Sequence, residues 1–256
     1  YSRRYKQMAN PTAAICVIGD EILSGRTKDK NIGWIAEQLN GLGIQLTQAR
    51  VIADVKETII RHITELSDEN DYVFTSGGIG PTHDDITTES VAAAFNVTVE
   101  RNQEAMRRLE QHYKGTEIVL NEVRKKMADI PVGATLIDNP VSAAPGFQLE
   151  NVYVMAGVPS IMQSMFESLS ASLKGGIIPT RLTVQCATGE GNVAHILEQI
   201  SNQYETVSVG SYPWFKPGQF GTAVVLTGLD ESLVSNAAKE LCQLVKHAGF
   251  EAEDAV

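Results

Sequence analysis

The stretch "DYVFTSGGIGPTHDDIT", residues 71–87, contains the pattern that decides the fold. A short apolar run ends in Ser76, three closely spaced glycines follow, and a helical pattern begins near Ile86. A buried strand that enters a glycine turn and then a helix is typical of open α/β sheets, whose ligands bind at the carboxyl ends of the strands. Glycine leaves backbone N–H groups unobstructed, and a helix N-terminus favours negative charge. The stretch therefore indicates either an anion-binding turn or a plain tight turn between a strand and a helix.

Strands and helices alternate on both sides of this stretch. The apolar patterns predict strands at 13–19, 44–53 and 71–78 and helices at 31–43, 56–67 and 86–96. A charged helical segment is expected over 101–130, as one helix or as two helices broken at "KGT" (114–116). Short strands at 134–140, 145–150 and 152–157 and a helix at 159–173 follow. This order implies a mostly parallel sheet with helices on both faces. We therefore expect a three-layer α/β/α domain over residues 12–174.

The order of elements changes after "KGGIIPT", residues 174–180, which indicates a linker. The later patterns predict a strand at 181–187, a helix at 191–203, strands at 206–211 and 221–228, and a helix at 231–247. Such a β-α-β-β-α run favours a small α+β domain over residues 180–250. At the other end, residues 1–11 are interpreted as a disordered arm or a cloning remnant.

Composition narrows the class of partner. The 256 residues are 43% hydrophobic and 20% charged, and their formal net charge is −10. This balance is typical of globular proteins and argues against a general binder of nucleic acid or of membrane surfaces, which would carry a basic face. The three cysteines have no CxxC spacing, no apolar run is long enough for a membrane span, and no secretory signal is evident. We expect a cytoplasmic protein without disulfides.

Two adjacent carboxylates, Asp84 and Asp85, follow the glycines. One of them, Asp85, is expected to accept N–H bonds as the N-cap of the next helix. A second carboxylate would repel a phosphate unless a divalent cation bridged them, since Mg²⁺ binds one or two carboxylates together with substrate phosphates. The pair therefore predicts a metal site, whereas His83 is interpreted as an exposed loop residue.

Further acids follow the other predicted strands. Asp20 and Glu21 come directly after the first strand, and Asp54 follows the second. Each of these acids alone is typical of a solvated loop or a helix cap. Because the carboxyl ends of parallel strands meet at one edge of a sheet, we expect all of them to lie near the glycine turn.

The segments "GDEILSG", "RTKDKN", "SGGIGPTHDDIT" and "NPVSAAPGFQLENVYVMAGVPSIM" (139–162) together resemble the MoaB/Mog molybdopterin-binding domain family. They are most similar to its branch in competence/damage-inducible protein A (CinA) and in the amino-terminal domain of FAD synthase. The resemblance covers residues 12–172, and "VSVGSYPWF" (207–215) resembles the small second domain of CinA.

This resemblance implies a set of site residues. Asp54 and Asp85 match the two essential aspartates of the adenylyltransferase members, and the sequence "HDD" (83–85) follows the pattern of the CinA and FAD-synthase branch. Substrate contacts are implied, or follow from the strand-end pattern, at these positions: Asp20, Ser76, Gly77, Gly78, Gly80, Thr82, Asn139, Ser142 and Gly146. The chain departs from the family pattern at Ser142-Ala143, where Gly-Thr is usual.

The family branch implies a metal-dependent pyrophosphatase of ADP-ribose or FAD, with Mg²⁺ or a similar divalent cation as cofactor. Two alternatives stay open. One is adenylylation of molybdopterin in molybdenum cofactor biosynthesis, and the other is a non-catalytic module that binds a pterin or nucleotide. The expected partners are a small anionic nucleotide or pterin and further copies of the chain, as a dimer or trimer. Trp214 and Phe215 of "SYPWFKPGQFGT" (211–222) are candidates for an aromatic lid, for a subunit contact or for ordinary packing within a proline-containing loop.

Overall fold

The computed structural model describes residues 10–253. Most of the arm predicted for residues 1–11, namely residues 1–9, lies outside the described residues. The chain divides into two compact units between Gly176 and Ile177. This boundary falls within the stretch that the sequence indicates as a linker.

The first unit is built on a six-stranded sheet. The strands of this unit are β1 (Thr12–Ile18), β2 (Gln45–Ile52), β3 (Tyr72–Ser76), β4 (Val99–Arg101), β5 (Asp129–Pro131), β6 (Thr135–Ile137), β7 (Gly146–Leu149) and β8 (Val152–Met155). The sheet order is β2-β1-β3-β8-β7-β6, and β4 and β5 form a separate antiparallel pair. The pairs β1–β2, β1–β3 and β3–β8 are parallel, whereas β7 runs antiparallel to both β6 and β8. Strands β1, β2, β3, β6 and β8 therefore run in the same direction, and their carboxyl ends lie at the same edge of the sheet.

Helices cover both faces of this sheet. They are α1 (Asp20–Leu23), α2 (Asn31–Gly41), α3 (Lys56–Glu69), α4 (Thr87–Ala94), α5 (Gln103–Tyr113), α6 (Glu122–Lys125), a 3₁₀ turn (Lys126–Ala128) and α7 (Pro159–Ser170). Strand β1 contributes side chains to the core on both faces of the sheet, because successive side chains of a strand point to opposite faces. Ala14, Cys16 and Ile18 pack with residues of α3, α4 and α5, while Ile15 and Val17 pack with residues of α2 and α7. Both faces are buried, so β1 reads as a continuous apolar run.

The second unit has a four-stranded antiparallel sheet in the order β10-β11-β9-β12. Its elements are β9 (Thr180–Cys186), α8 (Glu190–Gln203), β10 (Ser208–Lys216), β11 (Gln219–Gly228), α9 (Glu231–His247) and β12 (Ala252–Glu253). Apolar residues of both helices pack against the sheet; examples are Val193 and Ile196 of α8 and Leu241 of α9, with Val224 of β11. Burial of each side chain of this size stabilises the folded unit by about 1.5–3 kcal/mol.

These observations confirm the expected fold class: a mostly parallel α/β sheet with helices, and a separate small α+β unit. The charged segment 101–130 forms the helix α5 and the shorter helix α6, and α5 ends where the break at "KGT" was expected. One local prediction was wrong. The stretch 211–222, interpreted as a loop, forms most of a hairpin in which Lys216 pairs with Gln219 across the turn.

Cys16, Cys186 and Cys242 are free and buried. Burial raises the pKa of the Cys16 thiol to about 12, so this thiol is uncharged at neutral pH. None of the helices in residues 10–253 combines the length and the apolar composition that a bilayer crossing requires.

Candidate functional site

A cavity of about 430 Å³ lies at the edge where the parallel strands of the first unit end. Its lining comes from the turns after β1, β2, β3 and β8 and from the loop between β6 and β7. The residues that line it include Glu21, Asp54, Gly77, Gly78, Gly80, Asp84, Asp85, Asn139, Ser142 and Gly157. The sheet topology therefore brings together side chains that are far apart in sequence, as the strand-end rule predicts.

The turn after β3 requires glycine at its first two positions. Gly77 has a φ of 114° and Gly78 a φ of 70°, which L side chains adopt at a cost. A Cβ at Gly77 would overlap the carbonyl oxygen of Ile18 in β1, and a Cβ at Gly78 would overlap the Thr87 hydroxyl. We call residues 77–86, between β3 and α4, the glycine–aspartate loop.

The amide groups of this loop divide into two kinds. The Gly77 N–H donates to the Met155 carbonyl oxygen of β8 at 3.1 Å, so it is already used within the protein. In the described part of the chain, the N–H groups of Gly78, Ile79 and Gly80 donate to no protein acceptor, and all three residues line the cavity. The geometry thus leaves three consecutive N–H donors for an anion.

Asp84 and Asp85 turn back towards Thr82. The Thr82 hydroxyl oxygen lies 2.5 Å from Asp84 Oδ1 and 2.5 Å from Asp85 Oδ2, and the Thr82 N–H donates to Asp85 Oδ2 at 2.7 Å. The expectation that Asp85 caps the next helix was wrong, because α4 begins at Thr87 with Ile86 at its N-cap position and no side-chain cap. Asp85 instead closes a turn inside the glycine–aspartate loop.

The Thr82 hydroxyl cannot donate a hydrogen bond to both carboxylates at once. One hydroxyl has one hydrogen and can donate to only one of the two oxygens, although both lie at hydrogen-bonding distance. The two oxygens are therefore within about 5 Å of each other, since each is 2.5 Å from Thr82 Oγ1. Hydrogen bonds from Thr82 and from its own N–H, together with the charges of His83 and Lys126, lower the pKa of Asp84, so this carboxyl is ionised.

Asp54 lies across the cavity and connects to the turn after β1. Its Oδ2 accepts the N–H of Asp20, the first residue of α1, at 2.9 Å. Burial is the main cause of a raised pKa for the Asp54 carboxyl; the Asp20 N–H lowers this pKa, whereas the charges of Asp20, Glu21 and Asp84 raise it. A carboxylate with a raised pKa in a cleft is a candidate proton acceptor.

The loop between β6 and β7 forms the opposite wall. Buried Asn139 donates to the Ser142 hydroxyl at 2.6 Å and to the Ala144 carbonyl at 2.8 Å, and it accepts the N–H groups of Val141 and Ser142. Ala143 has a φ of 60°, a left-handed conformation that favours glycine and costs about 1–2 kcal/mol in other residues. Asn139 thus shapes this wall from inside, while Ser142 lines the cavity.

A buried asparagine that the sequence analysis did not single out lies behind the cavity. Asn31, the first residue of α2, is 4% exposed. Its side-chain amide donates to Ser76 Oγ at 2.7 Å and to the Gly157 carbonyl at 2.9 Å, so it ties the end of β3 to the turn after β8. It belongs to the quoted segment "RTKDKN", which was the available signal.

The predicted site residues are placed as follows. Asp54, Gly77, Gly78, Gly80, Asp84, Asp85, Asn139 and Ser142 line one cavity. Four others do not line it: Asp20 and Thr82 bond to lining aspartates, Ser76 is buried against Asn31, and Gly146 is buried in β7. His83 is fully exposed, with a side-chain exposure of 99%.

The donors around Asp84 and Asp85 fit a hard divalent cation. Mg²⁺ prefers oxygen ligands and completes its shell with water and phosphate oxygens rather than with a full set of side chains. Among residues 10–253, no three His, Cys, Asp or Glu side chains are grouped closely enough to hold a metal ion. Asp84 and Asp85 could supply two of the oxygen ligands of such an ion.

Comparison with known proteins places both units in families. The family described as "Probable molybdopterin binding domain" matches residues 14–174, and "FAD synthase, middle domain" matches residues 180–254. A protein of Archaeoglobus fulgidus is 33% identical over 90% of this chain and 96% of its own length. A "Probable FAD synthase" of Caenorhabditis briggsae is 33% identical over 92% of this chain but only 50% of its own length.

A solved structure agrees with these matches. The crystal structure of the protein CinA from Thermoplasma acidophilum, described as of unknown function, superposes with a TM-score of 0.58 at 30% identity. The superposition covers 63% of this chain and 98% of that protein. The chain therefore belongs to the MoaB/Mog molybdopterin-binding domain family, with CinA and FAD synthase among its relatives, and its second unit is of the FAD synthase middle-domain type.

Proposed function

We propose that the first unit is a metal-dependent pyrophosphatase that hydrolyses the diphosphate bond of nucleotides such as ADP-ribose or FAD. The observation that carries the proposal is the pairing of anion donors and carboxylates on one cavity. Gly78, Ile79 and Gly80, whose N–H groups donate to no acceptor among the described residues, line the same cavity as Asp54, Asp84 and Asp85. Amides bind a phosphate, and carboxylates beside a phosphate are tolerated when a cation lies between them.

Each group of cavity residues has its own role in the proposed hydrolysis. The three amides of the glycine–aspartate loop hold the phosphate oxygens and stabilise the charge that develops on them. Asp84 and Asp85 would hold the divalent cation, which offsets negative charge on the diphosphate when bound. Asp54 orients a water molecule and accepts its proton as the water oxygen attacks phosphorus, and the bond from phosphorus to the bridging oxygen breaks. Two phosphate monoesters leave, one of them AMP.

The elevated proton affinity of Asp54 suits this role. Burial and neighbouring carboxylates raise its pKa, and the Asp20 N–H fixes one of its oxygens. Asp20 therefore acts on the reaction through Asp54 rather than by touching the ligand. The Caenorhabditis relative is named an FAD synthase, which is consistent with a flavin nucleotide as ligand of a related chain.

A panel of nucleotides tests the proposal. ADP-ribose, FAD and ATP with a pterin are each incubated with the purified chain, in Mg²⁺ and in excess chelator, and AMP release is measured by chromatography. Release of AMP from ADP-ribose or FAD in Mg²⁺ alone supports hydrolysis. Consumption of ATP that depends on the pterin would assign adenylyl transfer instead, and tight binding of any of them without turnover would assign a binding module.

A further inference from the structure

Behind the glycine–aspartate loop lies a lysine from a distant part of the first unit. Lys126, the first residue of the 3₁₀ turn, is separated from Asp85 by 41 positions in the sequence. Its ammonium group donates to the Asp85 carbonyl oxygen at 2.8 Å and reaches the Thr82 carbonyl oxygen at 3.5 Å. It also lies 3.6 Å from the Glu89 carboxylate of α4. One side chain thus connects the 3₁₀ turn, the loop and the helix that follows it.

The loop needs such support for an electrostatic reason. Asp84 and Asp85 both face the Thr82 hydroxyl, so two negative charges lie within about 5 Å of each other. Like charges at this distance repel and favour loop conformations in which the carboxylates move apart. Hydrogen bonds from a charged donor are stronger than those between neutral groups. Lys126 bonds the two residues, Thr82 and Asp85, that close the turn carrying the pair.

We propose that Lys126 is a positioning residue that holds the glycine–aspartate loop from behind and so keeps the Asp84 and Asp85 carboxylates together at the cavity. This inference rests on the proposed function for its catalytic consequence, since Lys126 acts through the loop backbone and touches no ligand. Local sequence does not single out Lys126, because "VRKKMA", residues 123–128, has the pattern of an ordinary charged helix segment.

The neighbouring lysine supplies a matched control. Lys125 has the same chemistry and nearly the same side-chain exposure, 32% against 29% for Lys126. Its ammonium group pairs with Glu122 of the same short helix at 2.7 Å. Removal of the Lys125 charge therefore leaves the glycine–aspartate loop untouched, whereas removal of the Lys126 charge frees two carbonyl groups of the loop.

The first measurement is independent of enzyme activity. Hydrogen exchange is followed at the amides of Thr82, Asp85 and Thr87, which donate within the loop to Asp85 Oδ2, the Thr82 carbonyl and the Gly78 carbonyl. In Lys126→Met we expect these amides to exchange about tenfold faster, because the charged hydrogen bonds that hold the loop are lost. Lys125→Met should leave them unchanged, and Lys126→Arg should restore most of the protection.

The second measurement links the loop to the reaction. In Lys126→Met the Mg²⁺ concentration that gives half the maximal rate should rise about tenfold, because Mg²⁺ must first draw the carboxylates together. The KM for the nucleotide at saturating Mg²⁺ should change less than threefold, and Lys126→Arg should recover the native Mg²⁺ dependence. Equal exchange rates in Lys126→Met and Lys125→Met would overturn the inference. A native protein without pyrophosphatase activity would refute the proposed function, yet the exchange comparison would still decide the role of Lys126.

Discussion

Two glycine-containing turns of this chain look alike in sequence and differ in kind. The glycine–aspartate loop in the first unit carries free amides and carboxylates, and a Cβ at its glycines would overlap a backbone carbonyl or a neighbouring side chain. The turn at Pro217-Gly218 in the second unit joins β10 to β11, and a Cβ at Gly218 would meet no atom within 4 Å. Beside it, Phe215 is 82% exposed and Phe220 57% exposed. Polar groups converge at the first turn, whereas apolar side chains are exposed beside the second.

Asp85→Asn gives the largest expected effect and tests the first half of this comparison. Asparagine can still accept the Thr82 N–H, so the turn is retained, but the negative charge that attracts a cation is lost. We expect turnover to fall about a thousandfold with an unchanged melting temperature. Rates are measured with the best nucleotide of the panel, and unfolding is followed by circular dichroism. Asp68→Asn, at an exposed position of α3, is the control and should behave as the native protein.

Full activity in a stable Asp85→Asn protein would contradict the assignment. It would leave the carboxylate as a residue that closes a turn and nothing more.

Substitution of the two glycines compares the turns by stability. Gly77→Ala places a Cβ against the Ile18 carbonyl in a conformation that disfavours side chains. We expect a loss of about 3 kcal/mol in the free energy of unfolding, from strain and overpacking together. Gly218→Ala keeps only the cost of its φ of 77°, about 1 kcal/mol. Urea unfolding measures both, and equal losses would mean that β1 yields to the new side chain.

The fold was predictable from local patterns because most elements of the first unit are regular. Strand β1 alternates two buried faces, and the glycines after β3 and the acids after β1 and β2 lie where the strand-end rule expects them. Contacts between distant positions could not be predicted in this way. Asn31 meets Ser76 across 45 positions and Lys126 meets Asp85 across 41, and neither residue stands out in its local pattern.

The errors have physical reasons of their own. Pro213 and Pro217 favoured a loop over residues 211–222, yet β10 is an edge strand of its sheet, where a residue without an N–H is tolerated. The ends of the segment 101–130 were not predicted, because Val99–Arg101 and Asp129–Pro131 form strands that pair only in the folded chain. Asp85 was expected to cap α4, but its carboxylate accepts the Thr82 N–H, and the Thr87 N–H at the start of α4 donates to the Gly78 carbonyl.

Mg²⁺ should increase the affinity of the glycine–aspartate loop for a nucleotide diphosphate. Without a cation, the carboxylates of Asp84 and Asp85 repel the phosphates that the loop amides attract; with one, both bind the same ion. We expect calorimetric titration with ADP-ribose or FAD to give about tenfold tighter binding in Mg²⁺ than in chelator. The gain should shrink in the double variant Asp84→Asn, Asp85→Asn. Equal affinities in the native protein would mean that the carboxylates act without a metal.

The smallest expected effect concerns the aromatic residues of the hairpin in the second unit. Trp214 packs its ring where a Cβ of Gly221 would stand, with Lys216 5.3 Å from the ring centre, whereas Phe215 is largely in solvent. Trp214→Ala should therefore cost about 2 kcal/mol of stability, and Phe215→Ala less than about 0.5 kcal/mol. The predicted homo-oligomer gives Phe215 a different role, since an exposed aromatic side chain is a favoured subunit contact. We expect Phe215→Ala to lower the mass measured by light scattering while the melting temperature stays constant. An unchanged mass, with Leu229→Ala as the control for an exposed apolar residue outside the hairpin, would show that the hairpin holds no second copy of the chain.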